Sequence, residues 1–393
     1  MIENLPDGWK EQQLGNIVNL VIGKTPSRNI PEYFTGENLW TSIRDMNSKV
    51  ISNTKERITE KAIQDSKIKK VKKGTLLLSY KLSIGKLSFA GEDLYTNEAI
   101  AGLEIESEEL NNKFLYYALR NTDLERTTDR AVMGKTLNKA KLKLIPIPIP
   151  ILSQQEKIVK VLDISSALIE KQKELLQNYD LFLKSKFIEM FGSIKNNPYH
   201  FEIEPLSKFG KIITGNTPPR KELENYDDDF IEWIKSDNIS PNELYISTAK
   251  ECLSELGMSK GRILNKGGLL ITCIAGSLKS VGNIGMTDRQ ITFNQQINAI
   301  QPNNDVNSLY LYWLIKLNKN YIHTFATSSM KKMISKGVFQ EIPFIKPPLD
   351  LQKEFSIIAS KIAIIKEKEN KKLESLQTLH DSLMQKAFKG KIK

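Results

Sequence analysis

The chain has little of what enzymes most often use for covalent chemistry. Only two cysteines, Cys252 and Cys273, occur in 393 residues, which excludes a disulfide framework and the paired spacings of a zinc site. The three histidines, His200, His323 and His380, are widely separated, and none has a partner pattern for zinc or a nucleophilic triad. Long apolar runs are missing too, since no stretch approaches the ~20 residues needed to span a bilayer. The opening Met1-Ile-Glu-Asn-Leu-Pro-Asp-Gly8 has no basic stretch followed by an apolar run, so no secretory signal is expected. A soluble, cytoplasmic protein without disulfides or a membrane span is the expectation.

Two near-motifs fail on inspection. Gly276-Ser-Leu-Lys-Ser-Val-Gly282 has glycines and a lysine, but not the Gly-Lys-Ser/Thr opening a helix that a phosphate loop needs. Asn196-Asn-Pro-Tyr199 is one residue from the Asn-Pro-Pro-Tyr of amino-methyltransferases, yet no glycine-rich strand-turn-helix precedes it. It reads as a turn. No catalytic residue and no metal ligand is expected.

What is present describes a folded, basic protein. Hydrophobic residues make up 40% and charged residues 26% of a chain long enough for two or more domains. The formal net charge is +11, which favours a polyanionic partner. It is spread as +4 over residues 1–152, 0 over 153–193, +3 over 194–348 and +4 over 349–393, so there is no dense basic tail.

The strongest signal is internal repetition. Gly23-Lys-Thr-Pro26 returns as Gly215-Asn-Thr-Pro218, with Leu14 and Leu206 each nine residues before the glycine. Trp40 returns as Trp233, and Lys73-Gly-Thr-Leu-Leu-Leu78 as Lys266-Gly-Gly-Leu-Leu-Ile271. Asn97-Glu-Ala-Ile100 returns as Asn294-Gln-Gln-Ile297, and Met133–Lys139 as Met330–Lys336. The offset drifts only from 192 to 197 residues.

Each copy has two parts. The first mixes short apolar runs with Gly, Pro, Asn and Asp, reading as strands and helices. It closes on Ile145-Pro-Ile-Pro-Ile-Pro150 or Ile342-Pro-Phe-Ile-Lys-Pro-Pro348, where proline forces an extended exit. A helix of about 40 residues, or about 60 Å, then follows without Pro or Gly. In the first helix Ile158, Val161, Ser165, Leu168, Gln172, Leu176, Tyr179 and Phe182 fall three and four apart. Phe355, Ile358, Ile362, Ile365, Glu369, Leu373, Leu376 and Leu379 repeat that register 197 residues later. This spacing predicts a coiled-coil seam, with Gln172 and Glu369 at its middle either as polar register positions or as points of local fraying. Ser153 and Asp350 are the expected N-caps, and Gly192 and Gly390 the expected stops. The fold expected is α+β: two globular mixed domains, residues 1–152 and 194–348, separated by helices 153–193 and 349–393. Those helices pair antiparallel, giving a pseudo-twofold tandem repeat.

Recognition, not catalysis, is where the polar residues point. Lys24, Thr25 and Arg28 match Asn216, Thr217 and Arg220; Ser42 and Arg44 match Lys235, Ser236 and Asn238. Lys81, Ser83 and Lys86 match Ser277 and Lys279; Lys135, Asn138 and Lys139 match Lys331, Lys332 and Lys336. With Gln295, these are side chains of the types that reach phosphates and base edges.

The plan of globular domain, Pro-rich exit and long helix, stated twice, resembles the specificity subunit of type I restriction-modification systems. The residues carrying the resemblance are Leu14…Gly23-Lys-Thr-Pro26 and its copy, Trp40…Asp45 and Trp233…Asp237, and Asn294-Gln-Gln-Ile297. The junctions Pro150-Ile-Leu-Ser-Gln-Gln155 and Pro347-Pro-Leu-Asp-Leu-Gln352 are similar to the family's Leu-Pro-Pro-Leu-x-Glu-Gln, and Phe191-Gly192 and Ala387-Phe-Lys-Gly390 to its helix ends. Gln154 and Leu351 depart from the usual Glu, and Glu98 from the usual Gln.

The resemblance implies two target-recognition domains, each reading one half of a bipartite sequence in double-stranded DNA, with the helices setting the gap. It further implies docking of two DNA methyltransferase subunits and two restriction subunits. Those partners, not this chain, would use S-adenosylmethionine, ATP and Mg2+, methylating a flipped adenine. A modification-only or type II-like assembly, and a coiled-coil scaffold without DNA contact, remain the alternatives.

Overall fold

The computed structural model describes residues 5–124, 129–131, 134–194, 196–226, 228–327 and 332–392. It divides into two compact units, Met1–Lys173 with Lys372–Lys393, and Glu174–Lys371. Both long helices, α2 (Leu152–Phe191) and α4 (Leu349–Phe388), are therefore shared between units. Two shorter helices, α1 (Asn112–Arg120) and α3 (Ser308–Leu317), pack inside one unit each.

In the first unit, a five-stranded sheet runs in the order 18–22, 100–105, 76–79, 87–90 and 50–51. A three-stranded sheet of 56–58, 38–41 and 95–96 lies beside it in sequence, with Trp40 paired in parallel to Tyr95. The second unit repeats this with strands 210–214, 297–302, 269–272 and 284–286, and a second sheet where Trp233 pairs in parallel with Thr292. The continuous apolar runs 76–79 and 269–272 are buried on both faces, as central strands between packed layers must be. Helix α1 follows the same logic: Phe114 through Leu119 are all buried, and Asn111 caps its first turn through the amides of Lys113 and Phe114. Asn307 does the same for α3.

The proline-rich exits are extended, as their composition requires. Residues 146–149 pair antiparallel with 10–13, and 343–346 with 202–205. These are two-stranded ribbons, so the missing proline amides disrupt no wider sheet. Each exit then turns into a long helix around a buried glutamine. The Gln155 amide donates to Glu109 O at 2.7 Å and Pro150 O at 2.9 Å, while its Oε1 accepts from Asn111 N at 2.8 Å. Gln352 repeats the set: it donates to Asp305 O at 3.3 Å and Pro347 O at 2.8 Å, and accepts from Asn307 N at 2.8 Å. Both glutamines are 0% exposed. Each fastens the segment leading into α1 or α3 to the root of α2 or α4.

The first domain has a second fastening on α2. The Asp163 carboxylate accepts from Lys49 at 2.8 Å, Lys113 at 2.9 Å and the Tyr117 hydroxyl at 2.6 Å. Burial alone would raise this carboxyl, but the three donors outweigh it and hold it at about 2.

Two expectations about the helices need correction. Ser153 and Asp350 are not caps, because the helices start at Leu152 and Leu349 and leave them inside the first turn. The first turns are instead received by Ile151 O, from Gln154 N and Gln155 N, and by Pro348 O, from Gln352 N. The seam also follows the other half of the heptad. Ile158, Ser165 and Gln172 are buried as expected, but they alternate with Leu162 and Ile169, and farther along Leu183 replaces Phe182. Leu168 and Phe182 are 47% and 48% exposed. In α4 Phe355 is buried and Ile358 and Ile362 pack against the same core, as expected, while Ala359, Lys366 and His380 join the seam and Ile365 and Leu379 are exposed. Apolar spacing could not choose, since a stripe at +3 and a stripe at +4 look alike when both carry Leu and Ile. Lys366 and His380 were hidden further by being polar.

Within each unit the helices run antiparallel. In the first, Ser165 Oγ meets His380 Nδ1 at 2.8 Å, and Ile158, Leu162, Met384 and Ala387 share one core. Burial, reinforced by nearby Arg120 and Lys49, lowers the His380 ring below its usual range and favours the neutral form. In the second unit, Lys366 pairs with Asp180 at 2.5 Å, and Leu183, Phe187 and Phe191 pack with Phe355 and Ala359. Gly192 and Gly390 take left-handed backbone (φ +70° and +68°) just past the helix ends. A Cβ there would lie 2.4 Å from Pro198 Cδ or 2.6 Å from Pro6 Cβ.

Gln155→Ala strands the Asn111 amide and two carbonyls, so urea unfolding should show a loss of about 3 kcal/mol. Gln352→Ala should cost a similar amount. A loss within error of zero for both would show that the joint is not fastened by these bonds.

Candidate nucleic-acid interface

Each domain carries a hub: the four-residue turn Asn97–Ile100 in the first and Asn294–Ile297 in the second. Its leading asparagine folds back on the chain, Asn97 Oδ1 accepting from Ala99 N at 3.1 Å and Asn294 Oδ1 from Gln296 N at 3.1 Å. The Gly-x-Thr-Pro loop lies directly on this turn. A Cβ at Gly23 would sit 2.1 Å from Thr96 O, and one at Gly215 2.1 Å from Asn294 O, so only glycine permits the approach. The following amides lock the register, Lys24 N donating to Thr96 O at 2.9 Å and Asn216 N to Phe293 O at 3.1 Å. The indoles close the loop from beneath, Trp40 Nε1 donating to Lys24 O and Trp233 Nε1 to Asn216 O.

Most of the sequence-selected residues gather around these hubs. Thr25 donates to the Glu98 carboxylate and Thr217 to Gln295 Oε1. Thr41 O accepts from Asn97 N, which sets the Ser42–Asp45 turn beside the hub; Ser236 reaches Gln296 Oε1 at 3.2 Å. Tyr80 OH donates to Glu98 O at 2.9 Å, and Tyr80 O accepts from Leu137 N. The loop of Lys81 and Ser83 thus joins the segment of Asn138 and Lys139 at the same hub. In the second domain Cys273 N donates to Gln296 O and Cys273 O accepts from Ile334 N. The Ser277–Lys279 loop and the residues around Lys332 and Lys336 are linked in the same manner.

Several of these residues serve the scaffold. Ser42 and Asp45 form a capping box, Asn138 caps the helix starting at Lys139, and Asn238 is buried, binding Lys235 N and Ser247 Oγ. Arg28 makes a fork with Glu56 and lies 4.1 Å from the Phe34 ring centre and 5.2 Å from that of Trp40. Arg220 repeats this with Glu251, Tyr226 at 4.5 Å and Trp233 at 4.7 Å. The hydrogen bond from its carboxylate raises each guanidinium above its usual value, and the same bond lowers Glu56 and Glu251. Lys235 shares Glu251. Lys24, Arg44, Lys139, Lys279 and Lys336 are exposed, and Lys86 reaches Ile43 O and Asn47 Oδ1 at 3.3 and 3.4 Å. Lys331 lies outside the described residues, and only the backbone of Lys135 is described.

Sequence reading missed Glu56, Glu251 and Tyr80. Glu56 and Glu251 stand 195 apart, within the drift of the repeat, so following the offset residue by residue would have found them. Tyr80 has no such counterpart: Cys273 does its work by backbone alone.

The sequence matches the pattern of one family in both halves, over residues 6–178 and 198–377, described as the type I restriction modification DNA specificity domain. The MjaIX specificity subunit of Methanocaldococcus jannaschii is 28% identical over 243 residues, which is 56% of this chain and 56% of that protein. The HindI specificity subunit of Haemophilus influenzae is 30% identical over 207 residues, 50% of this chain and 42% of that protein. The chain thus spans about half the length of these relatives. The crystal structure of a type I restriction-modification S subunit from M. genitalium shares the fold, with a TM-score of 0.56 at 17% identity, over 99% of this chain and 97% of that one.

The stacked Arg220 should be replaceable only at a cost. Arg220→Ala uncovers the Trp233 and Tyr226 rings and frees Glu251; urea unfolding followed by tryptophan fluorescence should show a loss of about 1 kcal/mol. Arg220→Lys should recover less than half of it, because an ammonium cannot fork onto the carboxylate. Full recovery by lysine would show that charge alone matters there.

Proposed function

The chain belongs to the type I restriction-modification DNA specificity domain family, and on that premise we propose that it is the DNA-recognition subunit of such an assembly. Each globular domain reads one half of a bipartite target in double-stranded DNA. The observation that carries this reading is the duplicated hub: one scaffold, presented twice, with different side chains on it. Thr25 rests on a carboxylate at Glu98 where Thr217 rests on an amide at Gln295. Lys24 stands where Asn216 stands in the other copy. A carboxylate accepts only, an amide donates and accepts, and an ammonium donates only. The two domains therefore offer different donor and acceptor patterns, which suits an asymmetric target.

The long helices set the unspecified gap and receive the methyltransferase subunits. Support comes from their second apolar stripe. Leu168, Leu175 and Phe182 on α2 are seven residues apart and all exposed; Ile365 and Leu379 on α4, two heptads apart, are exposed too. Such a row on a helix whose seam is already filled fits a further helix laid alongside. The methyltransferase subunits bring S-adenosylmethionine, and the restriction subunits bring ATP and Mg2+; this chain supplies the address. No helix among the described residues is long and apolar enough to cross a membrane.

Co-expression with the methyltransferase subunit in a host lacking DNA methylation, followed by long-read mapping of methyladenine, tests the reading. A bipartite motif that vanishes without this chain is expected. Exchange of residues 1–152 for another family member's domain should change one half-site and leave the other intact. A motif changed in both halves would contradict modular recognition.

A further inference from the structure

The first unit contains a cavity of about 880 Å³ between the first domain and its helix pair. Its walls include Lys49, Lys86, Arg120 and Lys173 against two carboxylates, Glu170 and Asp381. Lys173 is paired with Glu170 at 2.9 Å. The other cations are under-compensated. Lys49 shares the single carboxylate of Asp163 with Lys113. Among the described residues, Lys86 touches only a carbonyl and an amide oxygen, and Arg120 bonds only the Tyr116 hydroxyl, at 3.0 Å. The Tyr116 ring gathers two of them, with Lys49 Nζ 5.1 Å and the Arg120 guanidinium 5.7 Å from its centre.

The second unit differs at the equivalent positions. Asn283 stands for Lys86, Asn370 for Lys173 and Lys316 for Arg120. Lys316 is bonded to Tyr312 OH at 3.0 Å and lies 5.1 Å from the Trp313 ring centre. Where the first unit has Ile169 and Gln377 on the cavity wall, the second has the Lys366–Asp180 pair, which neutralises itself. Three cations that share one carboxylate around a concave surface cost stability there by self-repulsion. A bound anion would reverse that loss.

We propose that this cavity of the first unit is a phosphate-binding site, in which Arg120 and Lys86 hold a phosphate group and Lys49 adds charge. A planar guanidinium and an ammonium converging from two walls match tetrahedral phosphate oxygens, and the volume suits a ligand carrying more than one phosphate. The phosphate comes from a DNA backbone or from a free phosphorylated molecule. The site goes beyond target reading and does not depend on it.

The test is calorimetric titration of the full chain with inorganic tripolyphosphate. Saturable binding at one site is expected, weakened about tenfold or more in Arg120→Gln and in Lys86→Gln. Lys316→Gln, the matched change in the second half, should leave it unaltered. Absence of saturable binding, affinity unchanged from the parent in both first-half variants, or an equal loss in Lys316→Gln would each overturn the proposal. Coincident thermal melts of the two first-half variants with the parent guard against misfolding, and both side chains lie on the surface or half-buried. A short duplex of unrelated sequence, its binding followed by anisotropy, then separates the sources. Displacement of tripolyphosphate assigns the site to a backbone phosphate; retention while the duplex is bound assigns it to a free phosphorylated ligand. Failure of the duplex to bind would bear on the target-reading proposal alone.

Discussion

A buried side-chain amide at the root of each long helix joins that helix to its own domain, and the rest of each unit is built on that joint. Gln155 and Gln352 each join the segment before α1 or α3 to the Pro-rich exit and to the helix that follows it. No apolar residue could replace them without stranding a backbone amide and two carbonyls in a dry site, where each unmet group costs about 1–3 kcal/mol. The constraint is directional as well as energetic. Three bonds from one planar amide leave little freedom for the helix root to rotate against its domain. Each domain and the start of its helix therefore behave as one body, and the hub of that domain is presented at a fixed angle to the helix axis.

On that frame the two copies have diverged. In the first unit the seam holds Ser165 against His380; the equivalent positions in the second are Ile362 and Leu183, both in an apolar cluster. Asp163 ties the first domain to α2 through three donors, whereas its counterpart is Ser360. The hub loops differ in the same fashion, residue by residue, on unchanged backbone bonds. Shared joints with divergent surfaces are what a chain needs if its two halves are to share an assembly but not a ligand.

Sequence made the repeat, the proline exits, the helix lengths and the glycine stops legible, because each rests on a residue whose backbone chemistry leaves few options. It gave half of the seam. Ile158, Ser165 and Gln172 were placed correctly, but Leu168 and Phe182 were drawn into the seam although they face outward. A helix that packs on two sides carries two apolar stripes, and composition alone does not rank them. The polar seam members Lys366 and His380 were invisible for the opposite reason. Around the hubs, residue type identified Arg28 and Arg220 yet could not reveal that Glu56 and Glu251 already hold them. Pairing between residues tens of positions apart is set by sheet order, which no local pattern states.

The central claim is that domains fixed on helix roots convert helix length into the gap between half-sites. One measurement addresses it most directly: the methyladenine motif written when one heptad is inserted into each long helix, mapped by long-read sequencing beside the parent chain. Seven residues add about 10.5 Å of helix, or about three base pairs of duplex. The account predicts both half-sites unaltered and the gap lengthened by about three base pairs. An unchanged gap with methylation retained would contradict it, because the helices would then not set the distance at which the two halves are read.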